Sequence, residues 1–288
     1  MTTALISHPA CRLHETGPHH PESPQRLDVI FDQLLAIGVI DLLRHFDAPP
    51  ASREQLLRVH RADYLDWLAS MVPEAGLVDI DPDTRMSPNT HEAALHAAGA
   101  AVQGTDLVIG GQCRNAFCAV RPPGHHAGAD RAMGFCFFNN VAVGVAHALE
   151  HHGLERVAVF DFDVHHGNGT DIIFAGDPRV RVCSVFQRDL YPFGTGHSHS
   201  GAGIDQPLPM GAGGAMMREA VAGFDAHAQD DVADMRYTDG DFDWLTRKIL
   251  EVADQHASGR LVSLLEGGYA LGALGRCAAS HVKILAGL

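Results

Sequence analysis

Asp163 and His165 stand two positions apart in the segment Asp161-Phe162-Asp163-Val164-His165-His166-Gly167-Asn168-Gly169. On an extended chain, side chains at i and i+2 point to one face, so this carboxylate and imidazole can reach the same metal ion. Asp225, in Ala222-Gly223-Phe224-Asp225-Ala226-His227, is the best candidate for a third ligand. Two carboxylates, one imidazole and a water would make an open zinc site. A second element is the tandem His125-His126, which follows the rigid Arg121-Pro122-Pro123-Gly124 turn. An imidazole with an ordinary pKa of about 6.5 can serve as general base toward a water activated by the metal. Asp161 can accept a hydrogen bond from a histidine and fix its tautomer. A third element is Tyr269 in Glu266-Gly267-Gly268-Tyr269, whose phenol can donate to a developing oxyanion. Each element alone is a short motif that also occurs as ordinary loop or turn structure.

The elements that must position these groups are legible as alternating patterns. Short apolar, β-branched runs predict strands at Thr3–Ser7, Ala116–Val120, Val157–Phe162, Val180–Phe186 and Leu261–Leu265. Ala/Leu-rich stretches predict helices at Gln25–Ile37, Thr90–Ile109, Asn139–His151, Phe242–His256 and Leu274–Ala286. Unbroken apolar strands alternating with helices imply an α/β fold, a mostly parallel central sheet covered on both faces. In such sheets, sites form beyond the carboxyl ends of the strands. The Arg121-Pro-Pro-Gly-His-His, Asp161–Gly169 and Glu266–Tyr269 segments each follow a predicted strand, as that rule requires.

Taken in order, these motifs are far more specific. Together with His20-Pro21-Glu22-Ser23-Pro24-Gln25-Arg26-Leu27 and Gly134-Phe135-Cys136-Phe137-Phe138-Asn139-Asn140, they resemble the histone deacetylase superfamily, in its bacterial class II-like branch that also includes acetylpolyamine amidohydrolases. The resemblance runs from about His14 to the C-terminus. It implies a three-layer αβα fold of the arginase/deacetylase type and one catalytic domain over residues 1–288. It implies zinc, with Fe²⁺ as the alternative ion, held by Asp163, His165 and Asp225. His126 would be the general base and acid, facing Asn168, and His125 its companion, oriented by Asp161. Tyr269 would polarise the amide carbonyl. Gly134 would offer its backbone carbonyl to the substrate amide, Phe135 would line the acyl tunnel, and Tyr191 and Phe193 would form the opposite wall. Arg26 resembles an arginine near the acetate exit. Asp161 and Ser184 resemble the family's monovalent-cation site, which suits K⁺. The implied substrate is an acetylated lysine peptide or a small acetylated amine such as a polyamine.

One departure stands out. Family members carry a helix and an apolar strand before the Gly-Phe-Asp segment, whereas here only Met216–Val221 lies between a Gly/Ala-rich loop and Ala222. About 20 residues are missing by the length of a helix–strand unit. The expectation is either a rearranged sheet that still delivers Asp225, or an impaired site. Asp230-Asp231-Val232-Ala233 also departs from the family's Asp-Pro-Leu-Gly. Two rivals follow: a catalytically impaired acetyl-ligand binder, and a binuclear manganese ureohydrolase using His125 and Asp161 toward a second ion. Tyr269 and the Pro-Pro-Gly-His-His turn favour the deacetylase over the latter.

Other histidine pairs read as decoys. His91 and His96 are five apart, not the four of a zincin helix. His147 and His151 are four apart, but Gly153 follows soon after, as at a solvated helix C-terminus. His197 and His199 lie in a Gly/Ser loop.

Composition bounds the rest. The chain has 288 residues, 46% hydrophobic and 19% charged, which suits a globular chain with a sizeable core. A net charge of −14 argues against nucleic acid as partner and is compatible with cationic ones. No apolar run has the length of a membrane span, and the N-terminus lacks the basic region of a signal peptide, so a cytoplasmic location is expected. Cys11, Cys113, Cys118, Cys136, Cys183 and Cys277 include no C-x-x-C pair and read as free thiols.

Overall fold

The computed structural model describes residues 2–194, 203–219 (backbone alone from 217) and 224–288, so the His197-Ser198-His199 loop lies outside the described residues. Nine strands are present among these: β1 (Thr3–Ser7), β2 (Arg44–Asp47), β3 (Val78–Asp79), β4 (Arg85–Met86), β5 (Asn115–Cys118), β6 (Val157–Asp161), β7 (Val180–Gln187), β8 (Ile204–Leu208) and β9 (Leu261–Leu264). The helices are α1 (Ala10–Leu13), α2 (Gln25–Ala36), α3 (Arg53–Leu57), α4 (Ala62–Ser70), α5 (Thr90–Ile109), α6 (Asn140–Glu150), α7 (Asn168–Ile173), α8 (Gly214–Glu219), α9 (Asp239–His256) and α10 (Leu271–Leu285).

The main strands are parallel and fall into two sheets, β2-β1-β5-β9 and β6-β7-β8, while β3 and β4 form a small antiparallel pair. Ala4, Leu5 and Ile6 of β1 and all of β5 are buried, because helices cover both faces of the first sheet. The apolar helix α5 lies against β1, β5 and β9, close enough that a side chain on Gly104 would press on Ile6, Ala116 and Val262. Helix α2 packs against α10, and α10 against α9. The six cysteines are all free, and all but Cys183 are buried. Among the described residues no helix is long and apolar enough to cross a membrane.

The break between the sheets lies where the sequence is short. The Val164 N–H, just past β6, donates to Asp225 Oδ1 (2.7 Å). A Cβ on Gly267, just past β9, would come within 2.2 Å of Asp225 Oδ2. Asp225 therefore sits between the carboxyl ends of β6 and β9, where a strand leading into it would end. No such strand stands there among the described residues: β6 pairs only with β7, and β9 only with β5. One edge of β6 is therefore unpaired among the described residues, and one of its faces is uncovered, with Ala158 exposed and Phe160 39% exposed, while Val159 on the other face packs beneath α6.

Asp225 is held by other contacts among the described residues. It sits in a short 3₁₀ turn, Phe224–Ala226, whose Phe224 ring packs on Phe162, Phe242 and His281 at centroid distances of 5.5, 5.4 and 5.8 Å. The backbone of Ala226 accepts from Tyr237 N–H (3.2 Å), and Tyr237 C=O accepts from Ala228 N–H (2.9 Å). Of the two outcomes the short segment allowed, the structure shows the rearranged sheet with Asp225 in place.

Two buried histidines make the fold sensitive to acid. His60 donates from Nδ1 to Gly128 C=O (2.9 Å) and accepts at Nε2 from Asn139 N–H (3.0 Å), a bonding pattern only the neutral ring satisfies. His281 is bonded at both nitrogens, to Thr246 Oγ1 (2.8 Å) and Ser263 Oγ (3.0 Å). Burial pushes both down to about 4. Below pH of about 6.5 the unfolded chain takes up protons that the native chain refuses, so stability falls with pH and the loss levels off once the native rings titrate near 4. Each ring is worth on the order of 3 kcal/mol across this window. Denaturant melts between pH 7 and 4.5 should show this decline, and His281→Gln should flatten it.

Candidate active site

The three predicted ligands converge. His165 Nδ1 lies 3.0 Å from Asp163 Oδ1 and 3.2 Å from Asp225 Oδ2, and all three residues offer ligand atoms within 4.8 Å of one another. Ligand atoms around a tetrahedral zinc stand about 3.4 Å apart, so this donor set fits one ion. Asp225 is 0% exposed and Asp163 is buried beside it. Burial, joined by repulsion from Asp163, lifts Asp225 to about 7. Burial works against charge on His165 too, but the two carboxylates override it and raise the imidazole to about 10. A divalent cation answers the same concentration of negative charge.

Gly267 is shaped by this cluster. Its N–H donates to Asp163 Oδ2 (2.7 Å), and a Cβ there would lie 2.4 Å from that oxygen as well as against Asp225. The Glu-Gly-Gly-Tyr glycine thus allows the loop after β9 to close over both carboxylates.

The tandem histidines sit directly beside the ligands. His125 Nδ1 bonds to Asp161 Oδ2 (3.0 Å), and its Nε2 stands 3.9 Å from Asp163 Oδ2. Despite burial, Asp163 and Asp161 hold this imidazole well above its usual range. His126 Nδ1 bonds to Asn168 Oδ1 (2.7 Å), and its ring lies 4.0 Å from that of His125 and 5.9 Å from that of His165. Burial, with the His125 and His165 charges, pushes His126 well below the usual imidazole range. The neighbouring rings are therefore driven toward opposite protonation states.

Gly134 packs so closely on His126 that a Cβ would meet the ring at 2.4 Å, and its φ is +57°. Phe135 packs edge-on to Tyr269 at a centroid distance of 6.0 Å. Tyr191 stands edge-on to His126 at 5.2 Å. Phe193 is 78% exposed and stands outside this packed wall, unlike Tyr191, with which it was paired in sequence. Asp161, at the end of β6, pairs in register with Ser184 in the middle of β7, and Ser184 Oγ accepts from Gly167 N–H (3.4 Å).

Three carboxylates whose positioning roles the motifs did not reveal hold the loops. Glu266 Oε2 accepts from Gly124 N–H (2.6 Å) and His125 N–H (3.1 Å), tying the histidine turn to the Tyr269 loop. Asp230 Oδ2 accepts from Tyr269 N–H (2.6 Å) and Ala270 N–H (2.9 Å). Glu22 is buried between Arg121 and Arg26. Arg26 in turn donates to Gly268 C=O (2.8 Å) and Glu266 C=O, and its guanidinium lies 4.9 Å over the Tyr269 ring. Glu22 and Arg26 stand together in the His20–Leu27 motif, but nothing in it shows that Glu22 pairs with Arg121; Glu266 and Asp230 hold these loops through partners 39 or more positions away, beyond any local pattern.

The sequence model of the histone deacetylase domain matches residues 20–222 and 217–285. The chain belongs to the histone deacetylase family. The family match comes in two pieces that meet at the short segment before Asp225, as the split sheet does. The chain is 35% identical to a histone deacetylase-like amidohydrolase of Pseudomonas aeruginosa, over 99% of this chain and 86% of that protein. It is 34% identical to human polyamine deacetylase HDAC10, over 100% of this chain and 48% of that one. The solved HDA15 HD domain superposes with a TM-score of 0.89 at 29% identity, covering 99% of this chain and 88% of that domain. As a member of this family the protein is a hydrolytic deacetylase, a metal-dependent amidohydrolase.

Proposed function

We propose that residues 1–288 form a single catalytic domain that hydrolyses N-acetyl-lysine or a similar acylated amine with Zn²⁺, acting in the cytoplasm. The observation that carries this reading is the meeting of Asp163 and His165, just past the end of β6, with Asp225 of the 3₁₀ turn, and with His126 alongside. A divalent ion there supplies Lewis acidity, polarising the acyl carbonyl and acidifying water. Fe²⁺ is the alternative occupant of the same donor set. K⁺ is assigned to the end of β6 and the adjoining part of β7, beside Asp161 and Ser184.

The chain's own groups divide the remaining work. The His126 Nδ1–H donates to Asn168, which leaves Nε2 to take a proton from the attacking water. His125, held by Asp161, keeps a positive edge toward the developing negative charge. Tyr269 donates its phenolic proton in a hydrogen bond to the tetrahedral oxyanion. As the C–N bond breaks, His126 returns its proton to the leaving nitrogen, giving acetate and the free amine. Gly134 C=O accepts from the substrate amide N–H, and Phe135 and Tyr191 flank the acyl chain.

Tyr269→Phe should lower kcat by about 10²–10³ with little change in KM, since the lost bond forms only as the oxyanion develops. Steady-state kinetics on an acetyl-lysine peptide would check this.

The test of the whole reading is to strip the enzyme of metal, reload it with Zn²⁺ or Fe²⁺, and assay a fluorogenic acetyl-lysine peptide beside an acetylated polyamine. Metal-dependent release of acetate is expected. Stoichiometric Zn²⁺ with no turnover of either substrate would make the protein a binder of acyl ligands, and failure to retain metal would sink the reading. Preference for the polyamine is a second reading, favoured by the likeness to the human polyamine deacetylase and by the net charge of −14, which attracts cationic substrates.

A further inference from the structure

The histidines read in sequence as a solvated helix terminus do not stand alone. Helices α5 and α6 lie side by side, with Gly144 against Ala101, and their carboxyl ends come together. Asp106, in the last turn of α5, accepts through Oδ1 from His147 Nε2 (2.8 Å) and His152 Nε2 (2.7 Å). The His151 ring stacks on His147 at 4.6 Å and 16°. The four residues offer ligand atoms that all lie within 4.8 Å of one another. His151 is exposed, and the Asp106 side chain is 48% exposed, so solvent reaches the cluster.

We propose that Asp106, His147, His151 and His152 form a second transition-metal site that takes Zn²⁺ where α5 and α6 end. Three imidazoles and a carboxylate complete a tetrahedral set, and imidazole donors select zinc or nickel over magnesium or calcium. Two helix carboxyl ends add partial negative charge there, which favours a cation. The site is distinct from the catalytic one. His152 precedes the amino end of β6, while Asp161 and the catalytic ligands lie at or beyond its carboxyl end, about 16 Å away along a five-residue strand.

Arg58 opposes the ion. It donates from Nη1 to His147 Nδ1 (3.0 Å), which keeps the ring proton on Nε2, pointing at Asp106. Ligation through Nε2 moves that proton to Nδ1, so Arg58 must lean away toward Glu54, which it already contacts through Nη2 (3.0 Å).

The test is a Zn²⁺ titration of the metal-stripped full chain, counting bound equivalents by chelator competition. Two equivalents are expected. His151→Ala/His152→Ala should bind one and keep full deacetylase turnover, and His152→Gln alone should weaken the second equivalent at least tenfold. Asp225→Asn should lose the other equivalent and keep this one, so the result stands whether or not the catalytic reading does. Arg58→Ala should tighten the second equivalent about tenfold. No loss of bound zinc in the double variant relative to the parent, or no zinc in Asp225→Asn, overturns the proposal.

Discussion

Asp225→Asn will bring turnover of acetylated amines to background and remove the catalytic ion while leaving the chain folded. Asp225 is one of two buried carboxylates facing His165, so its neutral amide halves the anionic charge available to the ion in a region that excludes water. The amide keeps the shape and can still accept the Val164 N–H bond that Asp225 Oδ1 receives. Replacement also removes the repulsion from Asp163 that burial makes costly. Thermal stability without metal should therefore hold or rise while activity vanishes. Parallel melting curves and metal analysis of the two proteins would show it; an Asp225→Asn enzyme that retains metal-dependent turnover would remove Asp225 from the ligand set.

Glu22→Ala should cost about 3–5 kcal/mol, a large share of the 5–15 kcal/mol that holds a typical domain folded. Glu22 accepts from Arg121 through both oxygens (2.5 and 2.7 Å), pairs with Arg26 (3.2 Å) and touches His14 Nε2 (3.2 Å), all fully buried. Burial alone would raise its pKa, but Arg121 and His14 hold it well below the usual carboxylate range. Truncation strands two buried guanidinium groups. The damage reaches the site because Arg121 begins the Pro-Pro-Gly-His-His turn and Arg26 carries the backbone of Glu266 and Gly268. Urea melts should report the stability loss. At temperatures where the variant remains folded, kcat should still fall. Glu22→Gln, which keeps the hydrogen-bonding shape without the charge, should lie between. Melts indistinguishable from the parent would mean the cluster contributes little to stability.

The catalytic motifs were legible in sequence because each is local. A buried parallel strand reads as an unbroken apolar run, and the polar residues just past β5, β6 and β9 mark its carboxyl end. Spacing within a segment then puts Asp163 beside His165. The strands at Arg44–Asp47 and Ile204–Leu208 escaped notice because they are edge strands without an apolar run: the first is mostly exposed and polar, and the second is interrupted by Asp205, Gln206 and Pro207. Helices α9 and α10 begin three residues earlier than apolar periodicity suggested. In α9 the extra turn starts with the Thr238/Asp241 capping box, which carries no apolar signal.

Sequence alone determined the chemistry on offer: which carboxylates, imidazoles and phenol, and in what order along the chain. Only the tertiary structure decided that Asp225 reaches its partners although no strand leads into it among the described residues. An aromatic cluster around Phe224 and two backbone bonds to Tyr237 do the work of one, through partners that no spacing near residue 225 announces. The same holds for Glu22, Glu266 and Asp230, which hold the site loops. Local pattern reports the face a side chain presents, whereas a buried charge finds its partners wherever folding brings them, and the cost of leaving it unpaired fixes those contacts.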